Sequence, residues 1–283
     1  MANQISVANH MNTVLRPTRS THTRAALLVF TALCSSVVAQ EPALTAQNLA
    51  ARLGASVQDG SSSARLKMEV QKPGGGSKTV LQLQVKARRT RAATDLVYSV
   101  LWPKDRKGES FFLRKTAERP PSGTVFVPPD SLRPISSSQM KDAVFGSDLS
   151  YQDLVENFFA WANQAFVGTE VVDRVPCQIL ESKPGKSEHS IYARVRSWID
   201  VKRMVPLRVE KYSASGQLVR RIDTTRVARN DKDRLVPASL EVRRAGQDSV
   251  TELQGSNSQY DVTYSDSDFT SEALRGLADP KSK

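Results

Sequence analysis

The chain has 283 residues, 40 of them lysine or arginine against 29 aspartate or glutamate, a formal net charge of +11 and 39% hydrophobic residues. A chain of that size can bury a sizeable core. The basic charge alternates with apolar residues, as in Arg65-Leu66-Lys67-Met68. It therefore reads as solvated strand faces rather than a nucleic-acid surface, and anionic lipid headgroups rank above nucleic acid as a partner.

Taken in order, residues 25–38 (AALLVFTALCSSVV) form an apolar run behind Arg16, Arg19 and Arg24. The run is short for a membrane span and right for the core of a secretory signal. Small residues at Val37 and Ala39 place a cut after Ala39, so residues 1–39 are expected to be a signal peptide. Translation from Met11 would also fit. Leu33 before Cys34 is too large for a lipid-anchoring site, which favours a soluble exported protein. The expected mature chain, residues 40–283, keeps one cysteine, Cys177, and one histidine, His189. No intrachain disulfide can form there.

Residues 45–53 read as a short helix with Thr45 as N-cap. Period-2 patterns follow. Leu66, Met68 and Val70 alternate with charged or polar residues, Pro73-Gly74-Gly75-Gly76 turns the chain, and Leu81, Leu83 and Val85 alternate in turn. Residues 96–102 are apolar on both faces, which predicts burial on both sides. Further strands are expected at 110–114, 124–127, 170–182, 189–200, 205–212, 217–229, 235–244 and 249–264, and residues 128–139 as a proline- and serine-rich connection. A last short helix fits 271–277.

Residues 140–161 (MKDAVFGSDLSYQDLVENFFAW) hold the densest aromatic cluster of the chain. Gly146-Ser147-Asp148 reads as a loop, and Ser150 with Asp153 as an approximate capping box. Leu154, Phe158 and Trp161, widened by Val155 and Phe159, form one stripe of the helix expected from there. Such a helix covers either the protein's own core or something apolar that is not always protein; spacing leaves both open. The expected fold is mainly β: an unclosed antiparallel barrel or strongly curved sheet of about eleven strands, with short helices.

Catalytic parts are missing. One histidine and one cysteine, without a GxSxG, leave no Ser-His-Asp or Cys-His arrangement. No Cys/His spacing suits a metal, and Gly74-Gly75-Gly76 lacks the lysine and helix of a phosphate loop. Neither an enzyme nor a cofactor is expected.

Several stretches resemble the outer-membrane lipoprotein-sorting proteins of the LolA/LolB-like superfamily, in its larger FGSD-containing variant. They are Pro103-Lys104-Asp105 with Gly108, Val125-Phe126-Val127-Pro128, and Phe145-Gly146-Ser147-Asp148-Leu149-Ser150-Tyr151-Gln152-Asp153-Leu154. Trp198-Ile199-Asp200, Val205 to Tyr212, Ser215 to Val219, Asp268-Phe269-Thr270 and Leu274 complete the set. The resemblance spans about residues 45–277, and the FGSDxSYxDL stretch is its most specific part. It implies one lipid- or lipoprotein-binding domain over 40–283, an unclosed barrel whose apolar cavity holds acyl chains under a helical lid. The role implied is a non-catalytic, monomeric periplasmic carrier or chaperone that sorts lipoproteins or other lipids to the outer membrane. An inner-membrane exporter and an outer-membrane acceptor are its implied protein partners. A periplasmic sensor module that docks an envelope protein is the alternative. The cavity would be lined by Leu66, Met68, Val70, Leu81, Leu83, Val85, Phe111, Leu113, Val125 and Val127. The lid would contribute Phe145, Leu154, Phe158 and Trp161, with Gly146, Ser147 and Asp148 as its motif loop. For each, ordinary core packing is the competing reading. No residue is assigned to the arginine latch of the best-studied carrier.

Overall fold

A computed structural model describes residues 43–57, 60–90 and 92–278. The expected signal peptide lies outside the described residues. Thr45 caps the first helix as expected, its Oγ1 accepting from the Asn48 amide at 3.1 Å; the helix, α1 (Ala46–Val57), runs past Gly54.

Among the described residues, thirteen antiparallel strands then form one sheet. Six come first: β1 (Gly60–Gln71), β2 (Lys78–Arg89), β3 (Ala93–Trp102), β4 (Ser110–Thr116), β5 (Ser122–Val127) and β6 (Ser131–Ile135). Seven follow: β7 (Asn163–Val172), β8 (Val175–Lys183), β9 (Arg194–Asp200), β10 (Val205–Tyr212), β11 (Leu218–Arg229), β12 (Leu235–Arg244) and β13 (Val250–Tyr260). The spatial order β6-β5-β4-β3-β2-β1-β13-β12-β11-β10-β9-β8-β7 consists of two meanders joined where β1 pairs with β13. Strands β6 and β7 are its free edges, so the barrel is unclosed, as expected.

Two strands exceed the expected eleven. β6 lies in the stretch read as a connection. It pairs only with β5, and on such an edge Pro134 removes no ladder hydrogen bond that a second neighbour would need. The stretch 170–182 proves to contain a hairpin turn at Asp173-Arg174, both at positive φ (48° and 68°), which separates β7 from β8.

Period-2 geometry decides what faces inward. Opposite Leu66 lies Leu83, then Val100; opposite Val85 lies Tyr98, then Phe111, then Val125. These residues, with Met68, Leu81, Val242 and Leu253, make one apolar concave face. β3 is buried on both sides from Leu96 to Val100, as its sequence predicts, whereas Trp102 at its end is half exposed. Its outward Val97 packs with Phe112, Phe126, Phe269 and Leu274, because a C-terminal strap ending in the helix Ala273–Ala278 lies across that side. The strap is anchored by Arg88 to Asp266 (2.7 Å) and Lys86 to Asp268 (3.0 Å).

Candidate functional site

The chain leaves the sheet at edge β6 and re-enters it at edge β7, so residues 136–162 must cross the concave side. They do so as short pieces rather than one helix: 3-10 turns at Ser137–Lys141, Val144–Gly146 and Phe158–Ala160, and α2 (Tyr151–Val155). The helix expected to reach Trp161 stops at Val155. The reason is Glu156, whose side chain is fully buried and is bonded by Lys115 of β4 at 2.6 Å, by the Trp161 indole N–H at 3.2 Å and by Gln152. A buried carboxylate needs such partners, and reaching them turns the backbone out of helical geometry at Glu156 (φ −79°, ψ 124°).

The FGSD loop is closed by the Val144 amide donating to the Leu149 carbonyl at 2.8 Å. Phe145 and Gly146 both take left-handed backbone (φ 52° and 82°). Glycine tolerates this freely, phenylalanine at a cost of about 1–3 kcal/mol. Asp148 then reaches the sheet: Ser249 Oγ and Thr251 Oγ1 donate to its carboxylate at 2.6 and 2.7 Å, and its own amide donates to Thr251 Oγ1 at 2.9 Å.

The capping box read from Ser150 and Asp153 is present: the Ser150 amide donates to Asp153 at 2.7 Å, and the Asp153 amide to Ser150 Oγ at 3.3 Å. Asp153 also does more. Lys211 Nζ of β10 and the Tyr192 hydroxyl donate to its carboxylate at 2.6 and 2.7 Å, and Arg220 Nη1 of β11 bonds it too. Arg220 Nη1 further donates to Tyr192 Oη at 2.5 Å and Ser150 Oγ at 3.2 Å. Burial pushes the Asp153 carboxyl up, but the two cations and the hydrogen bonds from Lys211 and Ser150 outweigh it and hold it down to about 2. Burial, and then the Asp153 charge, push the Tyr192 phenol well up.

The ten residues expected to line a cavity share the concave face of β1, β2, β4 and β5, where Met68, Val70, Leu81, Leu83, Phe111 and Leu113 are buried. Leu149 packs on the β1–β2 part, Val144 and Val155 on the β4 part, and Phe145 and Leu154 on both. Trp161 is buried against Tyr192, Val195 and Val209, with Phe158 half-buried beside it; Phe159 reaches α1 at Leu49 and Leu53. Of the motif loop, Ser147 and Asp148 are buried and Gly146 is exposed. The concave face is thus filled by the chain's own segment. An open cleft of about 230 Å³ lies where that segment ends, lined by Lys115, Thr116, Asn157, Trp161, Glu188 and His189 among others.

Lys211, Arg220 and Tyr192 escape a reading by motif, but two of them left a signal. The buried positions of β10 are Val205, Leu207, Val209 and Lys211, a lysine in phase with an apolar face. Arg220 likewise shares its face with Ile222. Among the described residues no group of side chains could hold a metal ion, and no helix is long and apolar enough to cross a membrane.

A family model described only as "Uncharacterized protein" matches residues 93–276. No curated protein matches the chain. Among solved structures, it is similar to a DUF1329 family protein from Desulfovibrio piger at 23% identity and TM-score 0.73, covering 81% of this chain and 97% of that one. An outer membrane lipoprotein-sorting protein domain from Vibrio parahaemolyticus matches at 18% identity and TM-score 0.71, covering 81% and 98%. A LolA superfamily protein from Nitrosomonas europaea matches at 18% identity and TM-score 0.65, covering 82% and 100%. At these identities the likeness is one of fold.

Proposed function

We propose that the chain, a member of the family whose model matches residues 93–276 and similar in fold to the lipoprotein-sorting and LolA-superfamily structures, is a non-catalytic periplasmic carrier of acyl chains. Its cargo would be lipoproteins or other lipids bound for the outer membrane. The observation that carries this reading is the concave apolar face of an unclosed sheet, covered by one segment that belongs to neither meander and is tied across it by buried polar contacts as well as apolar packing. An acyl chain takes the place of that segment on Leu66, Met68, Leu81, Leu83 and Phe111.

The energetics allow it. Burying an acyl chain is worth about 0.8 kcal/mol per CH₂, so a 16-carbon chain gains on the order of 10 kcal/mol when enclosed. Much of that is offset by uncovering Phe145, Leu149, Leu154 and Val155, which leaves a net affinity small enough for release. Carrier function needs both capture and release, and a movable cover supplies both.

Native mass spectrometry of gently purified protein is expected to show co-purified lipid or lipopeptide, and a fluorescent fatty acid is expected to bind the emptied protein. Protein that is always empty and ignores added acyl chains would sink the proposal.

A further inference from the structure

When the cover leaves, its charges leave with it. Asp153 stands on α2, inside the cover, whereas its partners stand on the sheet: Lys211 on β10 and Arg220 on β11, directly opposite each other in the ladder. Tyr192 stands just before β9. The side chains of Lys211 and Arg220 are 2% and 3% exposed, and Asp153 is the one carboxylate bonded to either among the described residues. Two formal positive charges therefore meet one negative charge in a buried place. One Arg220 donor, Nε, has no partner there, although it is buried. Lowering the cover solves only part of the sheet's charge problem, and raising it leaves both cations uncompensated on an otherwise apolar wall.

We propose that Lys211 and Arg220, with the Tyr192 hydroxyl, form the headgroup site for an anionic amphiphile, and that Asp153 occupies this site in the empty protein as a built-in stand-in for the ligand's carboxylate or phosphate. The proposal rests on the carrier reading and names its cargo class. Three donors that converge on one carboxylate within 2.7 Å, or in direct contact, are already arranged for an oxyanion. Arg220 Nε offers a further N–H that a larger group such as a phosphate reaches and Asp153 does not. The tail has a path. Two rungs along from Lys211 and Arg220, on the same face, lie Val209 and Ile222, and Ile222 packs against the apolar cluster that continues through Val242, Leu253 and Met68 to Leu81. From β11 to β2 the sheet crosses four ladder steps, about 19 Å of arc. Arginine and lysine at the head of an apolar strip match an acid with a long chain and mismatch the corresponding alcohol.

The test compares laurate, dodecyl phosphate and dodecanol, which share a tail, by isothermal titration at pH 8 against wild-type protein. The two anions are expected to bind roughly tenfold to a hundredfold tighter than the alcohol, the range of one or two charge-assisted hydrogen bonds. Lys211→Met leaves Asp153 and Arg220 as a matched pair, so the variant is expected to fold, as a thermal melt will check. It is expected to lower the anion-to-alcohol ratio severalfold, with dodecanol bound no more weakly than by wild type because the variant also removes one tie on the cover. The wild-type ratio needs no variant and decides the matter if the variant does not fold. Equal binding of all three ligands overturns the anionic headgroup site and leaves the acyl-chain carrier standing. An unchanged ratio in folded Lys211→Met overturns the assignment of these residues. If none of the three binds, the carrier reading fails and the headgroup site with it. Inorganic phosphate alone is expected not to bind, because it brings nothing to replace the cover's apolar contacts; binding as tight as that of dodecyl phosphate would overturn the amphiphile as ligand.

Discussion

Asp153 is the residue on which local and long-range structure meet. It is the third residue of α2 and closes the capping box with Ser150, a pairing any reader of the sequence can find. It is also the counter-ion of two side chains 58 and 67 positions away, which no local pattern reveals. Its folded-state pKa, about 2, lies below the ordinary 3.8. The ion pairs therefore add stability that is fully present above pH ~4 and lost as the pH falls through about 2, on the order of 2 kcal/mol. Urea unfolding of wild type at pH 6 and pH 2.5 is expected to show that loss, and Asp153→Asn to lack it; the same pH dependence in both would remove Asp153 from the acid transition. Gly123 makes a second prediction at this scale. A Cβ there would lie 2.6 Å from Leu113 Cδ2 and from the Phe112 carbonyl, and 2.9 Å from Ile135 Cδ1. Gly123→Ala must push β5 off its neighbours, at a cost of about 1–3 kcal/mol, read as a lower melting temperature.

At the level of elements, the strands were legible where apolar and polar residues alternate cleanly, as in β1, β2 and β10. They were illegible where the turn chemistry is unusual. Asp173-Arg174 turns the chain without a glycine, and β6 carries a proline that only an edge strand tolerates. The central helix was half legible. Its cap was written in Ser150 and Asp153, but its end depends on Lys115, a residue of β4 that draws Glu156 inward. The expected lid residues Phe158 and Trp161 accordingly lie beyond the helix, around a 3-10 turn. Phe158 is only half-buried, and Lys211 Nζ stands 5.7 Å from its ring centroid. A carboxylate placed there has a cation within reach and need not unfold the domain. Phe158→Asp is expected to lower the melting temperature modestly while strongly weakening fatty-acid binding, because it both removes the ring and neutralises Lys211. A large fall in melting temperature with unchanged binding per folded molecule would take this turn out of the binding site.

For the molecule as a whole, the sequence conveyed the class of fold through its alternation and the place of the cover through its aromatic cluster. It did not convey that the cover joins the two free edges of the sheet. That connection makes the cover a competitor that can never diffuse away. Whatever binds the concave face must win it from a rival at fixed effective concentration, so the affinity measured from outside is the intrinsic affinity divided by the cover's own closing equilibrium. In the proposed carrier, the stability of the cover sets the grip, independently of any contact with cargo. Each 1.4 kcal/mol removed from the closed state should tighten binding tenfold until the open state dominates. Thr251→Val tests this away from the proposed headgroup site. It takes one of two hydroxyl donors from buried Asp148 and should destabilise closure by about 1–3 kcal/mol. The expected result is a protein that melts earlier yet holds fatty acid up to roughly a hundredfold tighter. A variant that melts earlier and binds no better would mean that the segment is fixed core, and that cargo, if any, sits elsewhere. A carrier built this way releases its load by regaining its own chain, and needs no chemical energy at the moment of release.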